Sequence, residues 1–125
     1  MARILLAEDD TAVRDFVRRA LEMGGHEVTA AHDGGEALER LTSPLDTYDL
    51  LLADIRMPVM DGIALALRAA RDYPEMPVLL MTGYANQRER AHGLESLIRG
   101  VIEKPFTIEQ VRAEVQSALQ MPPAA

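Results

Sequence analysis

The chain has 125 residues, with 13 Lys and Arg against 20 Asp and Glu, for a formal net charge of −7. That length suits one domain with one core, and 48% hydrophobic with 26% charged residues is a globular rather than a disordered composition. The acidity excludes the electrostatic footprint of a nucleic-acid binder and disfavours an anionic membrane surface, and the absence of cysteine excludes disulfides, Cys-ligated zinc and thiol catalysis. The opening MARILLAEDD meets acidic residues after an apolar run too short for a signal peptide or a membrane span, so a cytoplasmic location is expected.

Five apolar runs alternate with five helix-like stretches. The first run, RILLA at 3–7, leads straight into Glu8-Asp9-Asp10. A helix follows in which Val13, Phe16, Val17, Ala20 and Leu21 share one face, and Gly24-Gly25 stops it. After the second run, EVTAA at 27–31, Asp33 can cap a helix containing Ala37, Leu38 and Leu41, which Pro44 ends. The third run (48–53) and the fourth (77–81) are nearly continuous in Leu and Val, as in central strands covered on both faces. Between them an Ala- and Leu-rich helix follows Asp61-Gly62 and closes before Tyr73-Pro74. The helix expected over 85–97 is polar and weakly amphipathic, hence the least firmly docked. The fifth run, GVIE at 100–103, precedes a helix carrying Ile108, Val111, Val115, Ala118 and Leu119 behind a Thr107 cap. Regular βα alternation predicts an α/β fold, a doubly wound five-stranded parallel sheet in the order 2-1-3-4-5. A folded domain over 1–120 and a flexible tail at 121–125 are expected, since Met121-Pro-Pro-Ala-Ala cannot continue a helix.

Ligands bind such sheets at the carboxyl ends of the strands, near the switch in strand order. Glu8-Asp9-Asp10, Asp54, Thr82-Gly83 and Lys104-Pro105 all fall there. The strand order makes Asp9 and Asp54 neighbours, with Thr82 and Lys104 on the far side of Asp54. Carboxylates this close repel, and a hard divalent cation resolves the conflict; Mg²⁺ suits oxygen ligands and keeps several waters. With Lys104 as a mobile cation and Thr82 as a hydroxyl donor, this is a site for phosphoryl transfer with Asp54 as nucleophile. Asp10 fits a helix start beside the pocket better than a direct metal ligand.

The stretches ILLAEDD, DLLLADIRMPVMDG, VLLMTGYA and GVIEKPFT, in that order, resemble the four signatures of the response-regulator receiver domain of two-component systems. The resemblance runs from Arg3 to about Leu119. It implies that Glu8 and Asp9 form an acidic Mg²⁺ pocket completed by Asp54 and the backbone carbonyl of Arg56. It implies that Asp54 takes a phosphoryl group from a histidine kinase or His phosphotransferase, and that Thr82 and Lys104 bind the phosphoryl oxygens. It also implies a cis Lys104–Pro105 bond, a geometry accessible only before proline. Within the family, MARILLAEDD, DIRMPVMDGIALA, LLMTGYANQRERAHGL and KPFT are similar to a single-domain cell-cycle branch. That similarity implies output through contacts that tune a Clp-type ATP-dependent protease and its substrates, with phosphorylation switching the adaptor off. Ala124-Ala125 then reads either as an unfoldase tag or as a frayed end.

One position departs from the family pattern. Many receivers carry a switching aromatic three residues before the lysine; Val101 stands there, and Tyr84 becomes the candidate switch aromatic. Arg56 and Tyr84 are also expected to frame an incoming water, and their bulk predicts slow hydrolysis of the phosphoryl group. The remaining candidates read blandly. His26, His32 and His92 share no ligand spacing, and Asp33-Gly34-Gly35 lacks the lysine of a phosphate loop. Met57 and Met60 border the site among otherwise core methionines, and 87–90 is a solvated helix face or part of a partner surface.

Three functions compete. With the fold expected to end near residue 120 and the charge disfavouring DNA, the first is an adaptor, monomer or weak dimer, whose protein contacts depend on phosphorylation. The second is a phosphorelay intermediate or phosphate sink. The third, a small phosphohydrolase, would need an acid–base carboxylate two residues after Asp54, where Arg56 sits.

Overall fold

The computed structural model describes residues 1–83, 91–94 and 96–120. Five parallel strands, β1 (Arg3–Ala7), β2 (Glu27–Ala31), β3 (Leu50–Asp54), β4 (Val78–Thr82) and β5 (Gly100–Glu103), form one sheet in the order β2-β1-β3-β4-β5. Four α-helices are described: α1 (Thr11–Met23), α2 (Gly34–Thr42), α3 (Gly62–Asp72) and α4 (Ile108–Gln120).

Strand alternation divides the core in two. Leu5, Ala7, Leu51, Ala53, Val78 and Leu80 face α2 and α3, meeting Ala37, Leu41, Leu65, Ala66 and Ala69. Ile4, Leu6, Leu50, Leu52, Leu79 and Met81 face α1 and α4, meeting Val17, Leu21, Val111, Val115 and Ala118. β3 and β4 are buried at every residue, so nearly continuous apolar runs become the centre of the sheet.

Each helix start is chemically marked. Asp10 Oδ1 accepts the Val13 N–H at 3.0 Å, Asp33 Oδ1 the Glu36 N–H at 2.7 Å, and Asp61 Oδ1 the Ala64 N–H at 2.8 Å. At α4 the capping is reciprocal: Thr107 Oγ1 accepts the Gln110 N–H at 3.1 Å while Gln110 Oε1 accepts the Thr107 N–H at 2.8 Å.

Two expectations need correction. The helix predicted over 85–97 is not continuous to its end: His92–Leu94 is a 3₁₀ turn and residues 96–97 are a turn. Leu94 O accepts from both Leu97 N and Ile98 N, at 2.8 and 3.0 Å, and closes that turn; Gly93 lowers the helical preference there. Residues 84–90 and 95, with the partner-surface stretch 87–90, lie outside the described residues, as do 121–125 and with them Ala124-Ala125. Phe16 is 39% exposed rather than buried with its helix face. Its ring packs on Phe106, centroids 6.2 Å apart, and both rings line one cleft.

Candidate functional site

Strand register aligns the site. Ala7 pairs with Ala53, Asp54 with Met81 and Thr82 with Glu103, so Glu8 and Asp54 leave the sheet at one level, with Thr82 one residue and Lys104 two residues further along their strands. Glu8 is fully buried, Asp54 is 5% exposed and Thr82 2%, the three buried polar or charged residues among those described. Asp9 is exposed. One carboxylate oxygen from each of Glu8, Asp9 and Asp54 lies within 4.8 Å of the others.

Lys104 spans the cluster. Its ammonium donates to Glu8 Oε1 at 2.6 Å and to Asp54 Oδ2 at 3.0 Å. Burial pulls the Lys104 pKa down, but the hydrogen bond to Glu8 and the charge of Asp54 outweigh it and raise it on balance. Glu8 is pushed up to about 8, first by burial and next by its hydrogen bond with Asp54, against the opposing pull of Lys104. One ammonium, bonded to Glu8 and Asp54, therefore serves a cluster of three carboxylates. An all-oxygen donor set of three clustered carboxylates fits a hard divalent cation.

The surrounding loops are fastened to the same point. Arg14 Nη1, from the first turn and a half of α1, donates to the Glu8 carbonyl at 2.8 Å and reaches the Asp9 carbonyl at 3.5 Å. Sequence reasoning missed this arginine; its one signal was a cation spaced to reach back over the acidic turn. The loop after Asp54 is closed at its base by Ile55 N to Met81 O at 3.0 Å and Gly62 N to Ile55 O at 2.8 Å. Lys104 N donates to Thr82 O at 2.8 Å, tying β5 to β4 beside the site, and the Lys104–Pro105 peptide is cis. The cleft over these groups encloses about 960 Å³ and is lined by Asp9, Asp10, Asp54, Arg56 and Lys104, with an apolar wall of Val13, Phe16 and Phe106.

Asp10 serves as the α1 cap beside this cleft. Met57 and Met60, expected to border the site, do not line this cleft: Met57 is buried in the core that faces α2 and α3, and Met60 is half-buried against it. Val101 is half-buried on β5 against the α2 and α3 side of the core. Tyr84, the candidate switch aromatic, lies outside the described residues. His26 and His32 have separate partners: His26 Nδ1 accepts the Ala2 N–H at 3.2 Å, and His32 Nδ1 lies 2.6 Å from Glu36 Oε1. Among the described residues no helix is long and apolar enough to cross a membrane.

The response regulator receiver domain model matches residues 4–116. The response regulator MprA of Mycobacterium ulcerans (strain Agy99) is 36% identical over 118 residues, 94% of this chain and 50% of that protein. MprA of Mycobacterium tuberculosis (strain ATCC 25618 / H37Rv) gives the same figures. The chain thus spans about half the length of these curated relatives. Among solved structures, a CheY-like receiver domain protein from Methanospirillum hungatei JF-1 superposes with a TM-score of 0.86 at 31% identity, covering 95% of this chain and 94% of that one. The chemotaxis response regulator CheY4 of Vibrio cholerae gives 0.85 at 28%, covering 94% and 98%. With its parallel sheet in the order 2-1-3-4-5 and its acidic cluster at the strand ends, the chain belongs to the response regulator receiver domain family.

Proposed function

We propose that Asp54 is the phosphoacceptor of a signalling domain that takes its phosphoryl group from a histidine kinase or His phosphotransferase. The observation that carries this reading is the Lys104 ammonium held between Glu8 and Asp54, at 2.6 and 3.0 Å, within a cluster of three carboxylates. Glu8, Asp9, Asp54 and the Arg56 carbonyl are the residues that would hold Mg²⁺. When bound, the metal would supply positive charge for the incoming phosphoryl oxygens. An Asp54 oxygen forms the new bond to phosphorus as the bond to the donor imidazole breaks, and the electron pair leaves with that nitrogen. Lys104 is placed to meet charge on the phosphoryl oxygens, and the Thr82 hydroxyl to donate to one of them. The bulk of Arg56 and Tyr84 favours a long-lived phosphorylated state.

The output in this reading is a phosphorylation-dependent change in protein contacts within the cytoplasm, from a domain over 1–120 that is a monomer or weak dimer. The similarity of MARILLAEDD and LLMTGYANQRERAHGL to the single-domain cell-cycle response regulator CpdR supports an adaptor role in proteolysis by a Clp-type protease. The net charge of −7 supports a protein rather than a nucleic-acid target. The second reading, a phosphorelay intermediate or phosphate sink, draws on the same site and differs only in passing the phosphoryl group onward.

Intact mass after incubation with acetyl phosphate and Mg²⁺ tests the site. The chain should gain about 80 Da, one phosphoryl group, and Asp54→Ala should gain nothing while keeping its helical circular dichroism. Labelling of the variant would remove Asp54 from the role. Capture with and without beryllofluoride separates the two outputs: a state-dependent protease partner supports the adaptor, and reversible exchange with a His phosphotransferase alone supports the relay.

A further inference from the structure

The loop between Asp54 and α3 carries a strained residue. Val59 has φ = +71°, a region that β-branched residues rarely enter, and Met60 N donates to Pro58 O at 2.8 Å. A positive φ at the middle of an i to i+2 hydrogen bond marks a γ-turn of the rarer, strained hand. Such a turn persists only where its surroundings over-determine it. Val59 itself is 83% exposed, so its own burial does not supply the restraint.

The restraint lies on the neighbouring helix. A Cβ at position 34 would run into the Met60 carbonyl oxygen and would also stand 2.8 Å from Met60 Cβ. A Cβ at position 35 would stand 2.7 Å from Val59 Cγ1. The first two residues of α2 therefore approach the two residues that close the turn; at 34 the approach requires glycine, because a Cβ would meet backbone, and at 35 a Cβ would meet a methyl of Val59. The turn sits three residues after Arg56, in a loop whose base is pinned by the Gly62 N to Ile55 O bond.

We infer that Gly34 and Gly35 are positioning residues: by seating the Pro58–Met60 turn against α2, they set the backbone of the loop that offers the Arg56 carbonyl beside Asp54. The inference rests on the reading of that carbonyl as a metal ligand. Neither glycine touches the reacting atoms. Their effect runs from α2 through Val59 and Met60 into the loop, and a displacement there re-aims a carbonyl ligand without altering any carboxylate.

Gly35→Ala is the informative variant, because its clash is with one methyl group rather than with backbone. Titration of the metal-free protein with Mg²⁺, followed by amide NMR, should give binding about tenfold weaker than in the unaltered chain, the size typical of losing support behind a metal ligand. The 56–62 amides should already be shifted before metal is added. Gly35→Ala/Val59→Ala removes the clashing methyl and should restore both the amide positions and the affinity to within about threefold. A Gly35→Ala protein of lower melting temperature but unchanged Mg²⁺ affinity would overturn the inference, leaving the glycine a purely structural role. Failure of Val59→Ala to rescue would overturn it as well, since the tight approach of a residue-35 Cβ to Asp33 Oδ1, at 3.2 Å, would then be the cause. If the unaltered chain shows no Mg²⁺-dependent shifts, the metal reading itself fails and the inference falls with it; shifts at Glu8, Asp9 and Asp54 that ignore Gly35→Ala overturn the inference alone.

Discussion

Replacing Glu8 by Gln tests the electrostatics of the site without touching the proposed phosphoacceptor. In the metal-free chain the Glu8 carboxyl is fully buried and its pKa is pushed from the ordinary 4.5 to about 8, by burial first and by its hydrogen bond with Asp54 second. Between those values the folded chain holds a proton that the unfolded chain has released. Stability from this group is therefore fully present below about pH 4.5 and is lost as pH rises through about 8, the reverse of an ordinary ion-paired carboxylate. At about 1.4 kcal/mol per pKa unit the full rise corresponds to at most ~5 kcal/mol. Relaxation around Lys104, which donates to Glu8 at 2.6 Å, brings the expected loss to about 2–3 kcal/mol. Urea unfolding in EDTA at pH 5.5 and pH 8.5, followed by circular dichroism, reads this difference. The neutral amide of Glu8→Gln cannot titrate, so its stability should change less over the same interval. Adding Mg²⁺ at a hundred times its dissociation constant should return about 2.7 kcal/mol to the parent chain at pH 8.5, and far less to the variant. Equal pH slopes in the two proteins would refute the argument that one buried carboxyl carries the strain of the acidic cluster.

Two further perturbations test the frame that holds the site. Leu52→Ala on β3 removes a fully buried side chain between β1 and β4 and should cost about 2–4 kcal/mol in urea unfolding; a loss under about 1 kcal/mol would mean the strand is not central. Asp61→Ala deletes the cap that accepts the Ala64 N–H at 2.8 Å and should cost about 1 kcal/mol. The same change should perturb amides around Ile55, because the loop base and the α3 start share the Gly62 N–H bond to Ile55 O. An effect confined to α3 would separate the cap from the site.

Much of this molecule is readable along the chain because its determinants are local. The Leu-rich runs at β3 and β4, the aspartates at three helix starts and the Thr107 cap each act over a few residues, and βα alternation leaves one common topology for a short chain. Strand order alone was enough to expect Glu8, Asp54 and Lys104 at the same end of the sheet. Phe16 was misjudged because periodicity identifies a helix face but not which of its residues line an open cleft.

Tertiary structure decided what depends on distances between remote residues. The two hydrogen bonds from Lys104, to Glu8 and Asp54 at sequence separations of 96 and 50, have no trace in local pattern. The raised pKa of Glu8 needs a burial that a residue following an apolar strand does not guarantee. Arg14 on the Glu8 carbonyl and the two glycines of α2 beneath Val59 and Met60 emerge only when separate loops are brought together. The physical reason is the range of the forces: dihedral preference and hydrophobic period are set by near neighbours in sequence, whereas desolvation, ion pairing and steric contact are set by neighbours in space.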